Sequence, residues 1–439
     1  MVAGDRPGWD AGLGGRRRKI QKPVWSDWLA LGLVAATAPV FLFPRPGWTW
    51  IFMLVPAVWM LRLRREDSRG VIRRTPLDWG IGLLAMQIAV SCLLIPNIEL
   101  SLPKAAGTLF GIILFYSTLA VLLSEKTLKT GIVLFLVAGS GLAVFGVIGI
   151  MMVPERPFAE ILPGLMKAIP RYNWRLPGAE SGINPNALAG SLCLVIPLAL
   201  VLLFSRKARA ARIALLGMVS FIFLAVIFLL QAVSVWLALL VSLGLVGKKK
   251  NKRLWLAAGG VLILGFFMFG RPARTVIREK FELRYGLWST GIEAVQRNPL
   301  LGVGMDRLRR NPGIGPDLVH AHNQLIHTAA ELGIPGLVAY LAILIGAGWM
   351  CLDVSRRARA TWMRDAARGL GAGQLAFLIF GMGDAIPLGG KNGVFFWVSL
   401  VLIATLYNYV NLGTEILNKE EQAIDYGCHL SMKREGKQT

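Results

Sequence analysis

The sequence predicts an all-α, polytopic integral membrane protein with about 12 transmembrane helices and a large outer loop between spans nine and ten. Its residues are 55% hydrophobic and only 17% charged, whereas soluble chains carry nearer to a quarter charged residues. Apolar segments of about 20 residues recur along the chain, which is the length a helix needs to cross a bilayer. The net charge of +23 falls in short runs between these segments, as in cytoplasmic loops. We therefore expect the lipid bilayer, and no nucleic acid, as a partner.

Twelve apolar segments are predicted to span the membrane. Their approximate residues are 25–43, 48–62, 77–95, 105–123, 130–153, 186–204, 213–230, 233–246, 254–269, 333–352, 369–386 and 394–411. The stretch 213–246 contains no charge and is interpreted as two spans that turn near Gln231. Only that interpretation places every basic run on one side of the membrane, with both termini in the cytoplasm.

The predicted organisation alternates groups of spans with two long outer loops. In chain order it comprises a cytoplasmic tail (1–24), spans one to five (25–153), an outer loop (154–185), spans six to nine (186–269), a large outer loop with the expected active site (270–332), spans ten to twelve (333–411) and a cytoplasmic tail (412–439). From Arg271 to Val319 the large loop has nine basic and five acidic residues. A basic outer face suits an anionic lipid-linked substrate, or simply anionic lipid headgroups.

Three of the four histidines, His320, His322 and His327, lie within eight positions of one another in the large loop. A neutral imidazole at the membrane edge can take a proton from an alcohol near physiological pH. Two other interpretations remain: surface histidines bonded to loop carbonyls, or a metal site. Only Glu331 and Asp317 lie nearby, and this spacing matches no recognised ligand set. We expect neither a metal nor another cofactor.

The residues after this cluster predict a short helix that is broken before the tenth span. Asn323 is suited to cap its N-terminus and Gly333 to end it. Pro335 then falls where the next span begins.

An arginine lies inside an apolar stripe of the large loop. Apolar residues with helical spacing run through this segment: Ile277, Phe281, Trp288, Ile292 and Val295. Arg284 falls in the middle of them. A guanidinium there is costly unless an anion meets it, and its fork of donors matches two phosphate oxygens. The alternative is an internal salt bridge to Glu331 or Asp306.

Several chemical signals are missing from the sequence. It contains no glycine-rich phosphate loop, no His-Glu-x-x-His and no serine nucleophile elbow. Acidic residues are almost absent from the predicted spans, and Asp384, near the outer end of span eleven, is the main exception. Ion-coupled transporters usually bury more ionisable groups at mid-depth, so the transporter interpretation is disfavoured.

A set of ordered motifs resembles the O-antigen ligase and polymerase superfamily. The motifs are Ser181-Gly-Ile-Asn184-Pro185-Asn186, Arg284-Tyr-Gly-Leu-Trp288, Asn298-Pro299-Leu-Leu-Gly302-Val-Gly304, His320-Ala-His322-Asn323 and Glu331-Leu-Gly333-Ile-Pro335-Gly336. The resemblance covers residues 181–345, while the first five spans match in topology alone.

This resemblance implies metal-independent glycosyl transfer from an undecaprenyl-diphosphate-linked glycan to a glycolipid or glycan acceptor. It implies a bacterial cytoplasmic (inner) membrane location with the active site facing outward. By the same resemblance His322 activates the acceptor hydroxyl and Arg284 holds the diphosphate. Four residues are expected to support them: His320, Asn323, Glu331 and Asn186.

The chain departs from the family at the outer start of span eight. The family commonly has Ser-Arg-Gly there, with the arginine facing the diphosphate, whereas this chain has Val235 after Ser234. Another cation takes its place, the donor differs, or the activity is weakened. The candidate substitutes are Arg175, Arg171 and Arg278.

Three functions are therefore weighed. The first is a ligase that transfers an oligosaccharide to an outer acceptor such as a lipid A core. The second is a polymerase of the same superfamily that extends lipid-linked repeat units. The third is a non-enzymatic lipid-glycan transporter. The single large outer loop favours the ligase.

Overall fold

A computed structural model describes most of the helical part of the chain. The described residues are 25–42, 50–63, 74–122, 124–150, 185–205, 215–223, 233–246, 273–310 and 320–412, except for positions 52, 96–97, 221, 387 and 391–392. Within these ranges the backbone forms helices and turns and no strand. The predicted all-α class is therefore confirmed.

Eleven helices, together with a helical stretch within 215–223, make up the described fold. They are α1 (Trp25–Leu42), α2 (Leu54–Leu63), α3 (Asp78–Leu94), α4 (Leu102–Val121), α5 (Glu125–Ile150), α6 (Pro185–Leu203), α7 (Val233–Val246), α8 (Ala273–Arg297), α9 (Gln324–Arg357), α10 (Thr361–Gly381) and α11 (Gly393–Leu412). By length and composition α4, α5, α6, α9 and α11 can each cross a membrane. Predicted span nine (254–269) lies outside the described residues, and only part of span seven (213–230) is described. The count of 12 spans stays a prediction.

Helix α10 packs against α6, α7 and α9. Two glycines one turn apart allow its close approach to α6. A Cβ atom on Gly369 would lie 2.7 Å from the Cα of Leu198, and one on Gly373 would lie 2.5 Å from the Leu194 carbonyl oxygen. Small residues at this spacing let helix backbones pack closely where no water drives association. This contact fixes the position of the C-terminal end of α10 relative to α6.

Helix α11 fills the centre of the main core. Trp397 is fully buried, and its ring packs directly over Gly111 of α4. Phe396 contacts the rings of Tyr340 on α9 and Phe377 on α10, at centroid distances of 6.0 and 5.5 Å. Aromatic side chains bury large apolar areas, so this cluster joins four helices into one body.

Helix α9 is broken at Gly333, as the sequence predicted. Gly333 has φ +71° and ψ −179°, which an L-residue with a Cβ rarely adopts. A Cβ atom here would also collide with the carbonyl of Leu300. The break divides α9 into a short first segment, 324–332, and a long second segment.

The loop after α8 satisfies the backbone groups that the break exposes. The bonds run from Val303 N to Ala330 O (2.8 Å), from Gly304 N to Glu331 O (3.0 Å) and from Ile334 N to Pro299 O (2.7 Å). Gln87 of α3 donates through Nε2 to the carbonyls of Leu300 (2.6 Å) and Leu332 (2.8 Å). Non-helical backbone at membrane depth persists only where protein groups satisfy it in this way.

Candidate active site

One buried carboxylate gathers two of the three clustered histidines. Oδ1 of Asp384 lies 2.7 Å from Nε2 of His320, with hydrogen-bond geometry. The same oxygen lies 3.0 Å from Nδ1 of His322, at ion-pair distance but without the angle of a hydrogen bond. The two imidazole rings lie 4.4 Å apart. We call His320, His322 and Asp384 the triad.

The turn after α10 places Asp384 in the triad. Helix α10 ends at Gly381, and the turn then docks on the start of α9. Nδ2 of Asn323 donates to the carbonyl of Met382 (3.2 Å), and the amide of Ile386 donates to Oε1 of Gln324 (2.7 Å). The Asp384 side chain is only 3% exposed. Two segments about 60 residues apart are thus locked together around the carboxylate.

The backbone at His322 is held in an unusual conformation. Its φ is +47°, in the left-handed region that residues other than glycine seldom occupy. The next residue, Asn323, caps α9 as the sequence predicted: its Oδ1 accepts from the amides of Leu325 (3.0 Å) and Ile326 (3.1 Å). Nε1 of Trp288 donates to the His322 carbonyl at 3.4 Å. Such strain persists where surrounding structure fixes it, commonly at functional sites.

The electrostatics of the triad favour a charged Asp384. Two imidazole nitrogens lie within 3.0 Å of its Oδ1, and hydrogen-bond donors at this distance favour the ionised form of a carboxyl group. The same oxygen accepts a hydrogen bond from the amide of Ala385 (2.8 Å).

The orientation of His322 leaves one ring nitrogen available for chemistry. Nδ1 faces the Asp384 carboxylate, which favours the tautomer with its proton on Nδ1. Nε2 then carries the lone pair, and it makes no hydrogen bond within the described part of the chain. The His322 side chain is 19% exposed, against 3% for Asp384. The imidazole is therefore partly exposed, and the carboxylate orients its second nitrogen as an acceptor.

Arg284 lies beside the triad. A Cβ atom on Gly383 would lie 3.7 Å from Nη1 of Arg284 and 3.6 Å from the Cβ of Ser234. Arg284 is half-buried and makes no ion pair with any residue that the structure describes. The alternative of an internal salt bridge to Glu331 or Asp306 is therefore wrong.

The buried face of α8 differs from the predicted apolar stripe. Ile292 is 46% exposed, and the buried positions among the described side chains of α8 are Leu287, Gly291 and Ala294. Leu287 and Ala294 pack in a small core with Ala330 of α9. The predicted and the observed faces are neighbours on the helix surface, and packing against the partner helix determines which of them is buried. Arg284 still falls in line with the observed face, one turn before Leu287.

A second polar cluster lies against the first segment of α9, residues 324–332. Nζ of Lys104 lies 2.5 Å from Oδ1 of Asp306, and Nη2 of Arg309 lies 2.9 Å from Oδ2. We call these three residues the ion-pair cluster. Beside them Glu331 is buried, with Oε2 3.4 Å from Nε2 of His327. The His327 ring lies 6.2 Å from the ring of His320, a member of the triad. Glu331 and His327 therefore lie between the ion-pair cluster and the triad.

The other predicted site residues have different outcomes. Asn186 is half-buried in the first turn of α6. Val235 is fully buried in the main core, whereas the preceding Ser234 adjoins Gly383. Arg278 lies on α8 with its side chain outside the described part, and Arg171 and Arg175 lie outside the described residues altogether.

Sequence reasoning assigned no role to Asp384, although the signal was present. Acidic residues are nearly absent from the predicted spans, and a lone ionisable residue in a membrane segment usually marks a functional site. What the sequence could not provide was its partners, because His320 lies 64 positions away.

A comparison with known protein families finds one match that overlaps the site. Residues 186–341 match a protein-family model described as O-antigen ligase. The matched region contains Arg284, His320 and His322, and it ends 43 residues before Asp384. No curated protein matches the chain.

Proposed function

Because the chain belongs to the O-antigen ligase superfamily, we propose that it transfers a glycan from an undecaprenyl-diphosphate-linked donor to a hydroxyl of a glycolipid or glycan acceptor. The family supports the broader statement of a ligase- or polymerase-type enzyme acting on a lipid-linked glycan in a bacterial inner membrane. The observation that carries the finer proposal is the triad, in which a buried carboxylate orients an imidazole whose other nitrogen is open.

The proposed reaction is a single displacement at the anomeric carbon. Nε2 of His322 accepts the proton of the acceptor hydroxyl, and that oxygen forms the new glycosidic bond. The bond between the anomeric carbon and the diphosphate oxygen breaks, and its electron pair leaves with the diphosphate. His322 becomes an imidazolium, which the negative charge of Asp384 stabilises.

Arg284 is proposed to bind the diphosphate. The guanidinium adjoins the Gly383 turn, next to the triad, and no described carboxylate neutralises it. Its donor fork matches two phosphate oxygens, and the interaction strengthens as charge accumulates on the leaving group. Diphosphate is a good leaving group, so a strong general acid is not required. Arg171, Arg175 and Arg278 remain proposed contributors.

The reaction as proposed needs no metal ion, because the base and the cation are both side chains. Residues predicted at outer helix ends meet here: the starts of α6, α7 and α9 and the turn after α10. Asp353 and Arg357 pair at the opposite end of α9. We propose that the triad end faces outward and that both termini lie in the cytoplasm.

Among acceptors, we propose that the enzyme is a ligase that uses an outer glycolipid such as a lipid A core. The predicted topology, with one large outer loop that carries Arg284 and the histidines, supports this choice. Polymerase action would require the acceptor to be a second lipid-linked glycan. The described ionisable clusters lie at helix ends rather than along a path through the bundle, which gives the transporter alternative no support.

The decisive experiment supplies purified protein in nanodiscs with a polyprenyl-diphosphate glycan, first alone and then with a lipid A core glycolipid. Products are identified by mass spectrometry. We expect unchanged donor in the first assay and a glycosylated glycolipid in the second. Lipid-linked products with two or more repeat units in the first assay would establish a polymerase instead. Unchanged donor in both assays, with a range of host glycolipids, would contradict the proposed transfer.

A further inference from the structure

The triad leaves two buried polar atoms unsatisfied. Oδ2 of Asp384 and Nδ1 of His322 are each buried and have no hydrogen-bond partner among the described residues. The Asp384 side chain is 3% exposed, so water does not readily compensate for the missing partner. A buried carboxylate oxygen without a partner is unfavourable, because the water that it lost is not replaced. The arrangement therefore has unused capacity to bind a cation.

The same three side chains offer a set of metal ligands. One nitrogen of His320, one of His322 and one carboxylate oxygen of Asp384 all lie within 4.8 Å of one another. Ligands of a tetrahedral zinc ion, bound at about 2.0–2.1 Å, lie about 3.3 Å from each other. The observed separations from Oδ1 are 2.7 and 3.0 Å. Shifts of about half an ångström, within side-chain freedom, would open the triad around an ion.

The ligand chemistry selects the class of metal. Two imidazoles and one carboxylate suit Zn²⁺ and its divalent transition-metal neighbours, whereas Mg²⁺ and Ca²⁺ prefer oxygen ligands alone. We propose that the triad is a binding site for a Zn²⁺-class ion and that the bound ion inhibits the enzyme. The inhibitory part of this inference rests on the proposed function, because it requires His322 to be the base.

The tautomer of His322 determines that the ion inhibits rather than activates. The nitrogen that lies within the ligand set is Nδ1. A neutral imidazole has one proton, so a metal on Nδ1 forces that proton onto Nε2. Nε2 then donates a hydrogen bond and no longer accepts the proton of an acceptor hydroxyl. The metal also takes Asp384, which removes the charge that stabilises the imidazolium.

Binding is measured directly, without any assay of activity. Protein carrying a tag without histidine is stripped with chelator and titrated with Co²⁺, whose visible absorption reports coordination by nitrogen and oxygen. We expect one equivalent to bind and Zn²⁺ to displace it. Asp384→Asn and His320→Gln should each weaken binding by about 100-fold, since even outer-shell changes cost 10–100-fold. His429→Ala, which removes the histidine outside the triad region, is the matched control and should bind like the unmodified chain.

Two results would overturn the site itself. One is Co²⁺ binding that survives both triad substitutions, and the other is equal loss in His429→Ala. If one triad variant has a lowered unfolding temperature, the Co²⁺ affinity of the other variant decides whether the triad binds the ion. Mg²⁺ at the same concentrations should neither produce nor remove the Co²⁺ spectrum.

Inhibition is then tested in the glycan-transfer assay. We expect chelator to preserve or raise the rate, and Zn²⁺ at concentrations that fill the site to abolish transfer, while Mg²⁺ has no effect. If chelator abolishes transfer and Zn²⁺ restores it, the ion is an activator and the inhibitory inference is wrong, although glycan transfer stands. If no condition gives transfer, the proposed function fails, while the Co²⁺ titration still decides whether the metal site exists.

Discussion

The two polar clusters that flank the first segment of α9 are built on the same plan with different chemistry. In each, one aspartate with a low exposure meets two basic side chains: Asp384 meets His320 and His322, and Asp306 meets Lys104 and Arg309. Each also contains a non-glycine residue in the left-handed region, His322 at φ +47° and Asp306 at φ +59°. Strained backbone alone therefore does not identify the active site.

The difference lies in the kind of base that each aspartate meets. Ammonium and guanidinium groups keep their protons at neutral pH, so the ion-pair cluster holds a fixed charge pattern. Imidazoles gain and lose protons in this range, so the triad can exchange one with a substrate. Oδ2 of Asp384 has no hydrogen-bond or ion-pair partner among the described residues, whereas both carboxylate oxygens of Asp306 lie against a cation. We infer that the triad serves chemistry and the ion-pair cluster serves structure.

The strongest test of this division is His322→Ala. Loss of a positioned general base typically costs 10²–10⁴-fold, and we expect a loss at the upper end of this range, about 10⁴-fold. The initial rate of glycan transfer measures it, and the unfolding temperature should not change. If His322→Ala retains activity and His320→Ala does not, the base is His320.

Asp384→Asn is expected to lower the rate by about 10³-fold, because the amide no longer selects the His322 tautomer or stabilises the imidazolium. The matched control is Asp306→Asn, which removes the corresponding aspartate of the ion-pair cluster. That variant should keep transfer within about threefold of the unmodified protein, since it touches no reacting group. Equal losses of rate in the two variants would show that the clusters share one role.

Arg284→Lys should reduce kcat/KM for the lipid-linked donor by about 10–100-fold, because the charge remains and the two-oxygen fork is lost. Arg297→Lys is the control on the same helix. Arg297 is exposed and pairs with Glu293, at an Nη2 to Oε1 distance of 2.5 Å. An exposed pair of this kind contributes little. Unchanged donor kinetics in Arg284→Lys would make Arg284 a structural residue.

The sequence predicted those parts of the site that depend on local chemistry. Asn323 caps α9 because its short side chain reaches the amides two and three positions ahead. Gly333 breaks the helix because only glycine adopts its backbone angles easily. Arg284 was singled out because a guanidinium in an apolar stripe needs an anion.

The parts that the sequence did not predict depend on long-range packing. The turn that carries Asp384 is positioned by Asn323 and Gln324, about 60 residues earlier, and by the glycine contacts of α10 with α6. The face of α8 was misassigned at Ile292 because neighbouring faces of an amphipathic helix are similar in apolar content. Which face is buried depends on a partner helix that no local pattern specifies.

The smallest expected effect on activity, and a clear effect on stability, belongs to the ion-pair cluster. Lys104→Met leaves Asp306 with Arg309 alone, and the Lys104 and Asp306 side chains are only 17% and 11% exposed. Breaking such a partly buried pair should cost about 1–2 kcal/mol of unfolding free energy, because the Asp306 carboxylate loses its closer partner and keeps only Arg309. Adding Asp306→Asn removes the charge that lost this partner, so the double variant should be no less stable than Lys104→Met. Unfolding temperatures in detergent measure the cycle, and transfer should stay within about threefold in all three variants. A large loss of transfer without loss of stability would mean that Lys104 or Asp306 acts on substrate, and that both clusters belong to the active site.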